Sequence, residues 1–329
     1  MQSLIGLHLS MGYCMNAMYD YIGITKQLHK DNINLSNLEH IASSRNCEHY
    51  LIPGIKPMKL QYNKDNKLMR ITGSVPYWVN GHNFSITMAE YNTGLDYMAD
   101  LLKVKISDAI VDVMEFGAIV NTSLPANQII SAHSSAKGMK SVIYDNGRYF
   151  SDSACKVKMY NAKARIFQNL DKGTQHEIEA AGFDRKADWV KVEAHYLKPH
   201  MAINKGAGII LSDLFRPDFI RKTEENFLYQ YSRLSFIKSV EIPMNKKHLK
   251  TDNLLMLALA EVSGNIGKSP KDLAYGILNQ IPDEVLSPND KKARRAQIRK
   301  LLKQISTDIT SKYDLSPLLQ DAMLYHRTA

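Results

Sequence analysis

Two segments of this chain alternate with a period of two and carry opposite characters on their two sides. In 156–160, Lys156, Lys158 and Tyr160 fall on one face and Val157 and Met159 on the other. In 189–197, Val190, Val192, Ala194 and Tyr196 share one face, while Lys191, Glu193 and His195 share the other with Trp189 and Leu197. Such strands bury one side and present the other to solvent or to a site. Further short strands are expected at 3–9, 59–62, 68–73 and 109–116, with the turn-like Asn63-Lys64-Asp65-Asn66 between the second and third.

Helical periodicity interrupts these strands. Thr87 and Glu90 have capping-box spacing, and Met88, Tyr91, Leu95, Met98 and Leu102 recur at helical intervals after them. Helices are also expected after Pro125, from 161 through Phe167 and Leu170, and from Leu211 to about Leu234. Ser287-Pro288 opens another as N-cap and first helical residue, and Ile298, Leu301, Leu302 and Ile305 form its apolar stripe. Strands and helices do not alternate with parallel-sheet regularity. The expected fold class is therefore α+β, an antiparallel sheet backed by helices with a small C-terminal helical domain. The expected division is a domain over 1–240, a linker over 241–253 marked by Pro243, Lys246, Lys247 and Lys250, and a basic helical domain over 254–329.

The chain has 329 residues, 42 Lys and Arg against 33 Asp and Glu, and a net charge of +9. That excess points to polyanionic partners, nucleic acid first. Three scattered cysteines, Cys14, Cys47 and Cys155, form no zinc-type cluster and no disulfide framework, which fits a reducing cytoplasm. The first residues lack the basic and apolar regions of a signal peptide. The most apolar window, 254–262, is broken by Glu261 and too short to span a bilayer, so no membrane association is expected.

Candidate chemistry centres on Tyr160. A phenol flanked by ammonium groups can attack a phosphodiester, the cations holding the phosphate and the oxygen acting as a nucleophile that stays attached. The ordinary alternative is a surface tyrosine beside solvated lysines. Glu115 ends an otherwise apolar run, where coordination of Mg²⁺ or Mn²⁺ or a buried salt bridge would offset its burial. Strand alternation separates Asp112 from Glu115 unless a bulge intervenes. His82, between Gly81 and Asn83, is either a metal ligand or a turn residue. Lys291, Lys292, Arg294, Arg295, Arg299, Lys300 and Lys303 form a basic helix with no acid between its ends, an electrostatic footprint for phosphates or a solvated face.

The motifs come in an order that resembles the gene II/X replication initiators of filamentous phages and related plasmids. The carrying residues are Gly73-Ser74, Gly81-His82-Asn83, Glu115-Phe116-Gly117, Lys158-Met159-Tyr160 with Lys163, Val190-Lys191-Val192-Glu193, and Leu211-Ser212-Asp213-Leu214. They span roughly 59–235. Two residues separate Tyr160 from Lys163, where that family has one, and its Asn after Glu-Phe-Gly is displaced here to Asn121.

The resemblance implies a rolling-circle initiator nuclease that nicks and rejoins origin DNA, single-stranded or supercoiled duplex, through a 5′-phosphotyrosine. It implies Tyr160 as nucleophile, Lys158 and Lys163 at the phosphate, and Glu115, His82 and Glu193 on Mg²⁺ or Mn²⁺. Lys156, Lys191, Lys291, Lys292, Arg294, Arg295 and Arg299 would contact DNA. Host helicase or replication machinery would be a partner, and the host cytoplasm the location. The competing expectation is a non-catalytic DNA-binding regulator of phage or plasmid replication, which convergence of Tyr160 and Glu115 in one cleft would disfavour.

Overall fold

The alternating segments become neighbours within a ten-stranded antiparallel sheet. The computed structural model describes residues 17–28, 33–84, 86–180, 182–236, 270–306 and 313–323, with isolated positions between 252 and 259. The strands are β1 Ala17–Gln27, β2 Glu39–Ser44, β3 Cys47–Ile52, β4 Met58–Asn63, β5 Leu68–Ser74, β6 Ile110–Thr122, β8 Lys140–Tyr144, β9 Gly147–Ser151, β10 Cys155–Asn161 and β11 Asp188–Tyr196. They pair in the order β2-β3-β4-β5-β1-β6-β11-β10-β9-β8. A separate pair joins β7 His133–Ala136 to β12 Leu234–Phe236. The expected strand at 3–9 lies outside the described residues, as does the expected linker 241–253 except for Asp252.

One face of the sheet carries the principal core. Ile22 and Ile24, Met114, Phe116, Ala118 and Val120, Val157 and Met159, and Val190, Val192, Ala194 and Tyr196 are all buried there. Helices α2 Met88–Leu102, α3 Ala126–Ala132 and α7 Pro217–Ser232 cover them. α2 begins where the sequence places it. Thr87 Oγ1 accepts from the Glu90 N–H at 3.1 Å and Glu90 Oε2 accepts from the Thr87 N–H at 2.7 Å. A cap of this kind contributes about 1 kcal/mol. Tyr91, Leu95, Met98 and Leu102 then line the buried side.

The expected helix from Leu211 is divided. A 3₁₀ turn spans Leu211–Phe215, and Arg216 takes an extended conformation before Pro217 starts α7. A residue preceding proline disfavours the α region, so one continuous helix cannot form. Asp213 of the Leu-Ser-Asp-Leu motif closes that turn by accepting from the Ile210 N–H at 3.0 Å.

The opposite face is open except at one end. There a second cluster of Phe84, Ile119, Ala162, Ile166, Leu170, Ile178, Phe183 and Trp189 packs beneath α4 Ala162–Asn169 and α5 Lys172–Ala180. A short α1, Val75–Asn80, leads into the Gly81-His82-Asn83 turn beside it. α6 is the single turn Pro199–Ala202.

The C-terminal region is helical, with α8 Pro270–Gln280, α9 Pro288–Ser306 and α10 Ser316–Ala322. Its last helix is part of the principal core. Leu315, Leu319, Ala322 and Met323 are buried in that cluster, and the Leu315 N–H donates to the Tyr231 hydroxyl at 2.8 Å. α8 and α9 therefore form an excursion whose chain returns to the sheet, and the apolar side chains of α10 hold that return. Among the described residues, no helix is long and apolar enough to cross a membrane.

Candidate active site on the open face of the sheet

Two irregularities in the β1–β6 pairing build the site. Tyr19 pairs with Phe116 and Ile22 with Met114, so Asp20 and Tyr21 together oppose Glu115. This bulge turns Asp20 out of the apolar alternation and onto the open face. A second shift, between Gly23 and Ile24, leaves Asp112 as the extra residue of β6, between Val113 and Val111. A bulge therefore does intervene between Asp112 and Glu115. Asp112 nonetheless serves elsewhere, accepting from Thr25 Oγ1 at 3.0 Å and pairing with Arg70 at 3.0 Å.

β11 brings the remaining groups. Its register sets Glu193 opposite Gly117 and His195 opposite Glu115. A Cβ at position 117 would lie 2.9 Å from Glu193 Cγ and against the Val192 carbonyl oxygen, so only glycine lets the Glu193 side chain cross this point. That is a local physical reason for glycine in Glu115-Phe116-Gly117. Asp20, Glu115 and Glu193 each offer one carboxylate oxygen, all within 4.8 Å of one another, and all three residues are buried.

Lys191 lies within this group at 1% exposure, 2.6 Å from both Asp20 Oδ2 and Glu193 Oε1. Ser74 Oγ donates to Asp20 Oδ1 at 2.6 Å, and the Asn83 amide donates to Asp20 Oδ2. Glu115 is bound by Lys158 and by His195 Nδ1 at 2.7 Å. The Tyr160 hydroxyl donates to Glu193 Oε1 at 3.0 Å, and the Arg165 guanidinium lies 4.8 Å over the Tyr160 ring.

These contacts set the proton affinities. Burial alone would raise the Asp20 carboxyl, but the Lys191 charge and several hydrogen bonds hold it well below the usual carboxylate range. Burial would likewise raise Glu115, and the His195 hydrogen bond with the Lys158 charge brings it below its ordinary value. For Glu193 burial wins. With Lys191 shared with Asp20, and Glu115 and Asp20 adding negative charge nearby, its carboxyl is pushed up to about 7. Burial opposes the charge on Lys191, but Asp20 and Glu193 keep it firmly protonated. Burial, then the charge of Glu193, drives Tyr160 well above the ordinary phenol value.

Asp20, Glu115 and Glu193 face two ammonium groups, Lys191 and Lys158, so carboxylates outnumber ammonium groups in this buried cluster. A proton or an added cation offsets that excess. Carboxylate oxygens are the donors that hard cations such as Mg²⁺ and Mn²⁺ prefer, so the residues present fit such an ion.

The structure redistributes several expected roles. His82 is buried and outside the carboxylate cluster. Its Nδ1 accepts from the Phe84 N–H at 3.3 Å, and burial lowers its pKa to about 4. From the Gly-Ser and Gly-His-Asn segments it is Ser74 and Asn83 that reach the site, and the imidazole at the cluster is that of His195. Lys163, in the first turn of α4, makes no hydrogen bond or ion pair among the described residues. The cation at Tyr160 is Arg165, two residues further along. Lys158 does share the Tyr160 face, but its ammonium is engaged by Glu115.

Lys191 was expected at DNA, yet its burial between two carboxylates leaves it no free surface. Lys156 lies 4.7 Å over the Tyr149 ring. Lys291 is also buried, tied to Asp283 at 2.6 Å and to the Ile281 carbonyl. Arg295 donates to Asn279 at 2.6 Å and Arg294 to Gln297 at 3.4 Å, while Lys292 and Arg299 are exposed. Sequence reasoning missed Asp20. Its one signal was a lone carboxylate in the apolar run 17–24, in a part of the chain where no strand was assigned.

No family model matches the chain, and no curated protein matches it. Among solved structures it is similar to a rolling circle replication initiator protein from Geobacillus stearothermophilus. That likeness has 12% identity and a TM-score of 0.40, and it covers 75% of this chain and 97% of that one.

Proposed function

We propose that this protein is a replication initiator of the rolling-circle type, nicking and rejoining origin DNA through Tyr160. One observation carries the reading: the Tyr160 hydroxyl donates to Glu193 inside a buried carboxylate cluster, with Arg165 over its ring. A phenol needs a proton acceptor to become a nucleophile, and a phosphate needs positive charge beside it. The motif order of gene II/X initiators supports the same role for Tyr160.

In this mechanism the Tyr160 oxygen bonds to phosphorus while its proton passes to Glu193. The bond from phosphorus to the 3′ oxygen breaks, and that oxygen takes up a proton as it leaves. The 5′ phosphate stays on Tyr160 as an ester, so a 3′ hydroxyl can later reverse the step and rejoin the strand. Arg165 supplies charge to the non-bridging oxygens, and Lys191 holds Asp20 and Glu193 in place. Asp20, Glu115 and Glu193 would hold Mg²⁺ or Mn²⁺, which when bound supplies electrostatic stabilisation of the phosphate and the leaving oxygen. Exposed basic residues of α9, among them Lys292, Arg299 and Lys300, provide contacts to the DNA backbone.

The test is a denaturing gel with single-stranded and supercoiled origin DNA. Wild-type protein should form an adduct that mass spectrometry maps to Tyr160. Tyr160→Phe should bind the DNA and form none, and normal nicking by that variant would overturn the assignment.

A further inference from the structure

A pocket of about 320 Å³ opens beside Tyr160, at the tip of the β8–β9 hairpin. Tyr144, Asp145, Asn146, Tyr160, Arg165 and Gln168 are among the residues that line it. Tyr144 ends the edge strand β8 and keeps 38% of its surface exposed. Gly147 pairs with Tyr144 on one side and with Tyr160 on the other. A Cβ at position 147 would stand 2.5 Å from the Tyr144 hydroxyl, so the glycine lets that phenol ring lie across the strand toward Tyr160.

The Arg165 guanidinium, which lies 4.8 Å over the Tyr160 ring, brings to the pocket the positive charge that a phosphate needs. The side-chain amides of Asn146 and Gln168 make no hydrogen bonds among the described residues, and each offers both donors and an acceptor.

We propose that this pocket takes one nucleotide of single-stranded DNA, its base stacked on Tyr144 and its edge met by Asn146 and Gln168. The inference rests on Tyr160 as nucleophile for its functional meaning. The binding itself is independent of chemistry. A base within a duplex stack cannot present its face to a side chain, so the pocket selects unpaired DNA.

The experiment uses full-length protein carrying Tyr160→Phe, which separates binding from cleavage. Single-stranded oligonucleotides of thymidine, with 5-iodouracil at one position, are bound, titrated by fluorescence anisotropy and photo-crosslinked. The expected crosslink maps to Tyr144. Tyr144→Ala should weaken binding between about five- and a hundred-fold, the range for loss of one stacked base, while Tyr144→Phe keeps the affinity. Crosslinks confined to other residues, or unchanged affinity in Tyr144→Ala, would overturn the pocket assignment. Adduct formation by otherwise wild-type protein is measured alongside. An adduct without a Tyr144 effect rejects the pocket alone. A Tyr144 effect without an adduct rejects the nucleophile alone.

Discussion

Tyr160 and Glu193 are diagonal neighbours across the β10–β11 pair: Tyr160 stands opposite Lys191 and Lys158 opposite Glu193, yet the Tyr160 hydroxyl reaches Glu193 Oε1 at 3.0 Å. Diagonal cross-strand neighbours lie within reach of aromatic side chains. The directly opposed Lys191 is drawn aside by Asp20 and Glu193 together, which leaves the phenol a carboxylate rather than an ammonium as partner. The catalytic proposal depends on that geometry.

Glu193→Gln isolates it. The amide carbonyl can accept the phenol hydrogen bond but cannot take its proton. Adduct formation should fall by roughly 10²–10⁴-fold, the usual contribution of a positioned general base. Affinity of Tyr160→Phe/Glu193→Gln for single-stranded DNA should stay within about threefold of Tyr160→Phe alone, given that surface contacts dominate such binding. Undiminished adduct formation would remove Glu193 from the proton transfer.

Stability should respond to pH in a direction that Glu193 sets near neutrality. Its folded pKa, about 7, lies above the ordinary 4.5, so its contribution is complete below about pH 4.5 and is lost as pH rises through 7. Asp20 and Glu115 are lowered and have the opposite sign, losing stability only as the pH falls through the acid range. Between pH 6 and 8 the metal-free protein should therefore lose stability, by roughly 1.3 kcal/mol from this group. Glu193→Gln should flatten that slope. Chemical denaturation at four pH values with EDTA present checks it, and a parallel slope in the variant would reject Glu193 as the cause.

Mg²⁺ or Mn²⁺ should oppose the same loss. A ligand that binds only the folded state stabilises it by about 2.7 kcal/mol at a hundred times its dissociation constant. Raising either metal in a thermal melt at pH 8 should increase the melting temperature, and Glu115→Gln should weaken the response. Metal-stripped protein that melts identically with and without these ions would argue against a resident metal.

Part of this site was legible because β10 and β11 alternate cleanly and so display their charged faces in the sequence. The start of α2 followed from its capping-box spacing, and Glu115 stood out as a charge at the end of an apolar run. Asp20 was hardly legible, since a bulge breaks the alternation and a lone carboxylate in the apolar run 17–24 is its only local signal. The fate of Lys191 was hidden for a related reason. Its two carboxylates come from distant parts of the chain, and a buried lysine reads like a solvated one until both are in place. Arg165 rather than Lys163 faces Tyr160 because the Asn161 side chain caps α4, accepting from the Ala164 N–H at 3.0 Å and fixing where that helix starts.

The cations of the basic helix α9 divide into two kinds. Lys291 is buried against Asp283 and the Ile281 carbonyl, and Arg295 is held by Asn279 and lies 5.7 Å from the Tyr275 ring. These residues tie α9 to α8 and its loop. Lys292, Arg299 and Lys300 are exposed and lie on the helix side away from Ile298, Leu301 and Leu302. Neutralising all three to glutamine should reduce the slope of log affinity for duplex DNA against log salt by about 3, since each phosphate contact contributes roughly 0.9. Lys291→Gln should leave that slope nearly unchanged and instead lower the melting temperature, because it removes a tether rather than a phosphate contact. Salt titrations of both variants, with melts alongside, decide the matter. A triple variant with the wild-type slope would show that α9 does not touch the DNA backbone.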